Sequence, residues 1–231
     1  AMCREACRVQ SRGHPDQFNA RIPAVSIRNS VAINQLASPR LIMTHSLWRP
    51  KVQKAIYLIR DGRDAFISYY HYQTTRRGVR MGAAQFSRLY HDRVFGDTWA
   101  DHVHSWLTIG RQSIGSNLVV VKFEDLKDQP ETVISQLCRF LNIQADHGRI
   151  RNAVNHSSIE NARQIERLRQ GEISDANASF YRQGTSQQWQ NCEYQSEIDK
   201  FCQASRHALV LAGYEPTHLV DSITCDQQHL L

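Results

Sequence analysis

Three short apolar runs stand out in an otherwise mixed chain. Arg40-Leu41-Ile42-Met43 follows Pro39. Lys54-Ala55-Ile56-Tyr57-Leu58-Ile59 stops at Arg60-Asp61-Gly62, and Leu118-Val119-Val120-Val121 stops at Phe123-Glu124-Asp125-Leu126. The runs are continuous rather than alternating, as in strands covered on both faces, so each predicts a buried parallel strand. Between them the apolar spacing becomes helical. From about Asp64, the residues Phe66, Ile67 and Tyr70 share one side; from Asp97 to about Arg111, Trp99, Val103, Trp106 and Leu107 do. Asp128, Pro130 and Glu131 mark another helix start, with proline in the first turn and acids at the positive end of the dipole. Val133, Ile134, Leu137, Cys138 and Leu141 give that helix its buried face. Residues 157–169 read as a mostly polar helix, and Glu197 to Leu211 as a closing helix that stops at Gly213. Residues 1–37 read as irregular and polar, with a short helix at the start. Residues 171–191, with Gly171, Gly184 and many small polar side chains, read as a long loop of the kind that carries function or moves. Strands alternating with helices predict an α/β fold with a parallel sheet.

The 231 residues suit one domain. Hydrophobic residues make up 41% and charged residues 22%, a soluble globular mix whose core needs no disulfide or metal. The formal net charge of +6 suits a polyanionic ligand. There is no block of five basic residues, so no nucleic-acid arm is expected. No run approaches the roughly 18 apolar residues of a membrane span, and the start lacks the apolar stretch of a signal peptide. Six cysteines occur at positions 3, 7, 138, 192, 202 and 225, without a CxxC pair. Cys3 and Cys7 are spaced for one helix face, but no second pair completes a zinc site. The cysteines therefore read as reduced structural thiols in a reducing, cytoplasmic compartment.

Four segments carry candidate chemistry. His45 follows the first apolar run, where α/β sheets place their ligand crevice, and its near-neutral titration suits a general base; a structural histidine is the competing reading. Arg60 ends the second run and Ser68 lies on the helix after it. A strand–turn–helix unit returns both to one crevice, where a guanidinium, a hydroxyl and a helix N-terminus make a phosphate site. The alternative is a surface ion pair of Arg60 with Asp61 or Asp64. In the long loop, Phe180-Tyr181-Arg182-Gln183-Gly184 sets a guanidinium beside a glycine that permits close backbone approach to an anion. His102 and His104 are two apart, so on a helix they face different ways and do not chelate one metal. No metal is expected.

Taken in order, these segments resemble the soluble sulfotransferase family. Pro39-Arg40-Leu41-Ile42-Met43-Thr44-His45 is similar to its Pro-Arg-Leu-Ile-Lys-Thr-His segment, whose histidine is the catalytic base. Residues 57–71 resemble its 3'-phosphate-binding strand and helix, in which Arg60 and Ser68 hold the nucleotide. His102-Val103 and Trp106 resemble its His-Val-x-x-Trp helix. Phe123-Glu124-Asp125-Leu126 is similar to its Tyr-Glu-Asp-Leu turn near the adenine. Arg182-Gln183-Gly184, followed by Trp189, resembles its Arg-Lys-Gly loop and the tryptophan beyond. Phe18-Asn19-Ala20-Arg21-Ile22-Pro23 also resembles the segment preceding the first of these, so the likeness spans about residues 18–215.

The resemblance implies a three-layer P-loop-like fold, with a central parallel sheet flanked by helices. It implies transfer of a sulfuryl group from 3'-phosphoadenosine-5'-phosphosulfate to a hydroxyl or amine of a small-molecule acceptor, releasing adenosine 3',5'-bisphosphate. His45 would be the base, and Arg60, Ser68, Phe123, Arg182, Gln183 and Gly184 the cofactor-binding residues. Neither a nucleic-acid nor a membrane partner is implied. The family's phosphosulfate loop, Tyr-Pro-Lys-Ser-Gly-Thr-Thr-Trp, does not occur in these 231 residues. With it the first strand, loop and helix would be missing, and the chain N-terminally incomplete. Met43 replaces a lysine, Phe123 a tyrosine and Gln183 a lysine. These departures support an alternative, a catalytically impaired nucleotide-binding or interaction module. A nucleotide kinase is disfavoured, because no Walker A sequence occurs.

Overall fold

A computed structural model describes residues 41–76, 78–90, 93–94, 97–170 and 184–214. In chain order its main elements are β1 Ala55–Ile59, α1 Gly62–His71, α2 Ala83–Tyr90, α3 Trp99–His104, β2 Leu118–Lys122, α4 Phe123–Asp128, α5 Pro130–Phe140, α6 His147–His156, α7 Ile159–Gln170 and α8 Gln195–Leu211. The chain divides into two compact units: residues 1–46 with 125–168, and residues 47–124 with 169–231. The expected short helix at the start lies outside the described residues, as does most of the 171–191 loop.

The second unit holds the sheet. β1 and β2 pair in parallel, with Ala55 opposite Leu118 and Ile59 opposite Lys122. A parallel pair needs a long crossover, and α1, α2 and α3 supply it. Asp61 caps α1, its carboxylate accepting the N–H of Arg63 at 2.9 Å. α8 ends at Gly213, whose φ of 70° lets the Tyr214 N–H turn back onto the Leu209 carbonyl at 2.8 Å. Phe66 and Phe86 meet Phe201 and Leu209 of α8 and Val103 of α3 in one buried cluster. The predicted 97–111 helix is present in three pieces: α3, a π-helical stretch Ser105–Gly110, and one α-turn Arg111–Ile114. Trp48 packs against the π-helical stretch. Its backbone N–H donates to Ser105 Oγ at 2.7 Å, and a Cβ on Gly110 would sit 3.0 Å from its ring.

In the other unit, Pro130 opens α5 as expected, and Val133 is its buried residue. α5 packs on α6, with Arg151 reaching Glu131 at 3.5 Å. Asp146 caps α6 through the Arg149 N–H at 2.8 Å.

Two expectations are corrected. Leu41, Ile42 and Met43 are exposed, and the run forms no strand beyond a single bridge residue at Met43. Apolar composition buries a strand only when neighbouring strands and helices cover it, and three residues bring little ladder of their own. Within β1, Tyr57 and Ile59 are buried but Leu58 is 64% exposed. Alternate side chains point to opposite faces of a strand, so Leu58 lies on the face away from Tyr57 and Ile59; there its register partner Val121 is buried, while Leu58 is left uncovered. Among the described residues, no helix is long and apolar enough to cross a membrane.

Candidate functional site

The register of the sheet builds the site. Arg60 is the first residue after β1 and Phe123 the first after β2, and Ile59 lies opposite Lys122. Parallel pairing therefore places Arg60 and Phe123 side by side at the carboxyl edge, where α/β folds open their ligand crevice. The Arg60 guanidinium lies 4.8 Å from the centroid of the Phe123 ring. Its Nη1 donates to Ser68 Oγ at 2.9 Å, and its Nη2 donates to the Thr185 carbonyl at 3.0 Å. Ser68 uses an oxygen lone pair there, so its own O–H proton remains for another acceptor. Arg60 Nε is buried with no partner among the described residues. The Arg60 carbonyl accepts from the Trp99 indole at 3.2 Å, which ties the strand end to α3.

A carboxylate anchors the loop that meets Arg60. Asp64 is wholly buried one turn into α1. It accepts the N–H of Gln187 at 2.7 Å and of Trp189 at 3.1 Å, and stands 3.7 Å from Arg60 Nη2. Burial raises its pKa above the usual carboxylate range, while Arg60 and the two backbone N–H groups oppose the shift. The loop needs left-handed backbone at Gly184, φ 61°, and at Gln187, φ 60°.

Beside this lies a buried ion pair. Asp61 binds Arg63, with Oδ2 at 2.7 Å from Nη2 and Oδ1 at 2.9 Å from Nε, and Arg63 lies 3.7 Å over the Trp189 ring. Burial alone would lower the Arg63 pKa; the bonds and charge of Asp61 outweigh it and hold it above its usual value. The sequence alternative that paired Arg60 with Asp61 is thereby resolved: Asp61 belongs to Arg63, and the Asp64 that approaches Arg60 is buried rather than at the surface.

The structure thus gathers Arg60, Ser68, Phe123 and the Gly184–Thr185 turn. Arg182 and Gln183 lie outside the described residues. His45 belongs to the other unit and is exposed, after a local bond in which the Ser46 N–H donates to Thr44 Oγ1 at 3.1 Å. His102 and His104 diverge as expected. His102 Nδ1 meets the Tyr57 hydroxyl at 3.1 Å, whereas His104 turns towards α8. Burial raises the Tyr57 pKa, which keeps that phenol protonated. Sequence reading missed Asp64 as the loop anchor and Thr185 as a partner of Arg60. The one local signal was the four-residue step from Arg60 to Asp64; nothing nearby announces a loop arriving from more than a hundred residues away.

A guanidinium with spare N–H groups, a hydroxyl with a spare proton and an aromatic face at a sheet's carboxyl edge can hold a phosphorylated nucleotide. Residues 7–210 match the profile of the Sulfotransferase domain. Mouse Sulfotransferase 1B1 is 25% identical over 196 residues, 78% of this chain and 64% of that protein. Human Sulfotransferase 4A1 is 29% identical over 134 residues, 54% of this chain and 46% of that protein. The chain thus spans less than two thirds of either relative. Among solved structures, mouse sulfotransferase SULT7A1 complexed with PAP superposes with a TM-score of 0.64 at 16% identity, covering 92% of this chain and 83% of that one. Retinol dehydratase in complex with androsterone and inactive cofactor PAP gives 0.64 at 18% identity, covering 78% and 56%. The fold of those structures is the α/β sulfotransferase fold, and with a domain profile matched over most of its length this chain belongs to the sulfotransferase family.

Proposed function

We propose that the chain transfers a sulfuryl group from 3'-phosphoadenosine-5'-phosphosulfate to a hydroxyl or amine of a small-molecule acceptor. The observation that carries this is the Arg60–Ser68 pair at 2.9 Å, set beside Phe123 and the 184–185 turn at the carboxyl edge of the sheet. Structural neighbours solved with PAP, one of them with androsterone, support the nucleotide and the acceptor class. In this reading Arg60, Ser68 and Arg182 grip the 3'-phosphate, Phe123 covers the adenine, and Gln183 and Gly184 lend loop contacts. His45 takes the acceptor proton. The acceptor oxygen or nitrogen attacks sulfur in line as the bond from sulfur to the bridging phosphate oxygen breaks. Adenosine 3',5'-bisphosphate leaves with the electron pair. Gripping the far phosphate fixes the sulfuryl group, and positioning of that kind is worth about 7–11 kcal/mol of barrier at best. The chemistry needs no metal, and a cytoplasmic location belongs to the same reading.

Calorimetry with adenosine 3',5'-bisphosphate tests the clamp. Arg60→Ala is expected to abolish binding; unchanged affinity rejects the assignment. Sulfuryl transfer from labelled donor to a panel of phenols, alcohols and amines tests the base. Activity that survives His45→Ala rejects His45. A second reading, a nucleotide-binding module without turnover, is favoured by Met43, which stands where the family carries a lysine beside the base. It predicts bisphosphate binding with no sulfated product from any acceptor.

A further inference from the structure

The two histidines of α3 part company, and the one that plays no role in the nucleotide reading finds a partner the sequence does not nominate. His104 Nε2 lies 3.1 Å from His207 Nδ1 of α8, with ring centroids 4.8 Å apart and planes 14° from parallel. For each imidazole, the other ring is the only side-chain hydrogen-bond partner among the described residues. The pair is solvent-accessible, while the helices beneath it are locked by Val103, Ala208 and Leu209, all essentially fully buried. Two nitrogens with lone-pair chemistry are therefore held at a defined separation on a rigid base, open to water.

That separation has chemical meaning. Metal–imidazole bonds of about 2.0–2.1 Å, meeting at angles between a right angle and the tetrahedral value, place the two nitrogens about 2.9–3.4 Å apart. The observed 3.1 Å falls inside that interval. We propose that His104 and His207 form a two-imidazole site for a late first-row divalent cation, Zn²⁺, Ni²⁺ or Cu²⁺, which staples α3 to α8. In the metal-free pair one ring donates its N–H to the other. On binding, the donor ring changes tautomer: its proton moves to its outer nitrogen, and both inner nitrogens present lone pairs to the ion. Among the described residues no group of three or more histidine, cysteine or acidic side chains surrounds an ion. Water completes the coordination, and imidazole ligands select these ions over Mg²⁺ and Ca²⁺. The staple would act on the scaffold of Arg60, because α3 also carries Trp99, whose indole holds the Arg60 carbonyl. The proposal does not depend on nucleotide binding.

The test uses Ni²⁺ alone with the full chain, comparing wild type with His104→Gln and His207→Gln. The six cysteines and the other histidines contribute equally to all three proteins, so the difference between them is the signal. Each variant is expected to lose one bound equivalent by equilibrium dialysis. Each should also lose a rise of about 5 °C in thermal midpoint seen for wild type at a hundredfold excess over Kd. Mg²⁺ is expected to produce no shift. Equal stoichiometry and equal thermal shift in wild type and variants would overturn the site. X-ray absorption on Ni²⁺-loaded wild type keeps the proposal testable if a variant misfolds: two imidazole shells support it, and a purely thiolate or solvent shell rejects it.

Discussion

Arg60 is held by groups from four separate stretches: Ser68 on α1, Thr185 in the distant loop, Phe123 at the end of β2, and Trp99 on α3 through its carbonyl. Asp64 holds the loop in turn. Asp64→Asn keeps the shape but replaces one carboxylate oxygen by an NH₂ group, so one of the two loop N–H groups loses its acceptor. The expected cost is about 1–3 kcal/mol. The pH dependence adds a sharper test. Burial raises the folded-state pKa of Asp64. Its contribution to stability is therefore fully present below the unfolded value near 3.9 and is lost as pH rises through the folded value. The stability of wild type relative to Asp64→Asn, from urea unfolding, should shrink as pH rises above about 4. A difference that grows with pH would mean that Arg60 and the N–H donors outweigh burial. Arg60 and Ser68 were legible locally, because an arginine closing a strand and a serine eight residues on share a crevice. Asp64 was not, because its role depends on what arrives from residues 187–189.

Helix α1 begins against two aromatic walls. A Cβ on Gly62 would stand 2.6 Å from Phe201 Cζ and 2.6 Å from Trp99 Cδ2. Both rings are buried in the cluster that joins α1, α3 and α8, so neither has room to retreat. Gly62→Ala is expected to cost about 1–3 kcal/mol by overpacking, and to lower the thermal midpoint by about 3–10 °C. An unchanged midpoint would show that the aromatic cluster yields. The periods that predicted α1, α5 and α8 are properties of their own residues, and those helices form where expected. The 97–111 helix departs at its π-helical stretch, where Trp48 meets Ser105 and Gly110 from outside the segment. The run at 40–43 departs for a related reason: its apolar residues ask for cover that must come from other elements.

Charge acts over the entire chain. A formal net charge of +6 attracts a bisphosphate nucleotide before any contact forms, and salt screens that attraction. The affinity for adenosine 3',5'-bisphosphate should fall steadily as NaCl is raised; an affinity indifferent to salt would count against a phosphate clamp built on Arg60. The α/β class and its parallel pairing followed from the runs at 54–59 and 118–121 together with the helical spacing between them, while the similar run at 40–43 forms no strand. The ordered motifs from His45 to Trp189 carried the family resemblance without any coordinates. Packing settled the rest. It exposed Leu58, gave Asp61 to Arg63, set Arg60 against Phe123 through the register of two strands, and brought His104 to His207 across 103 residues. Periodicity is written within a few turns of chain, whereas the partner of a side chain depends on how distant elements pack, and no local spacing encodes that.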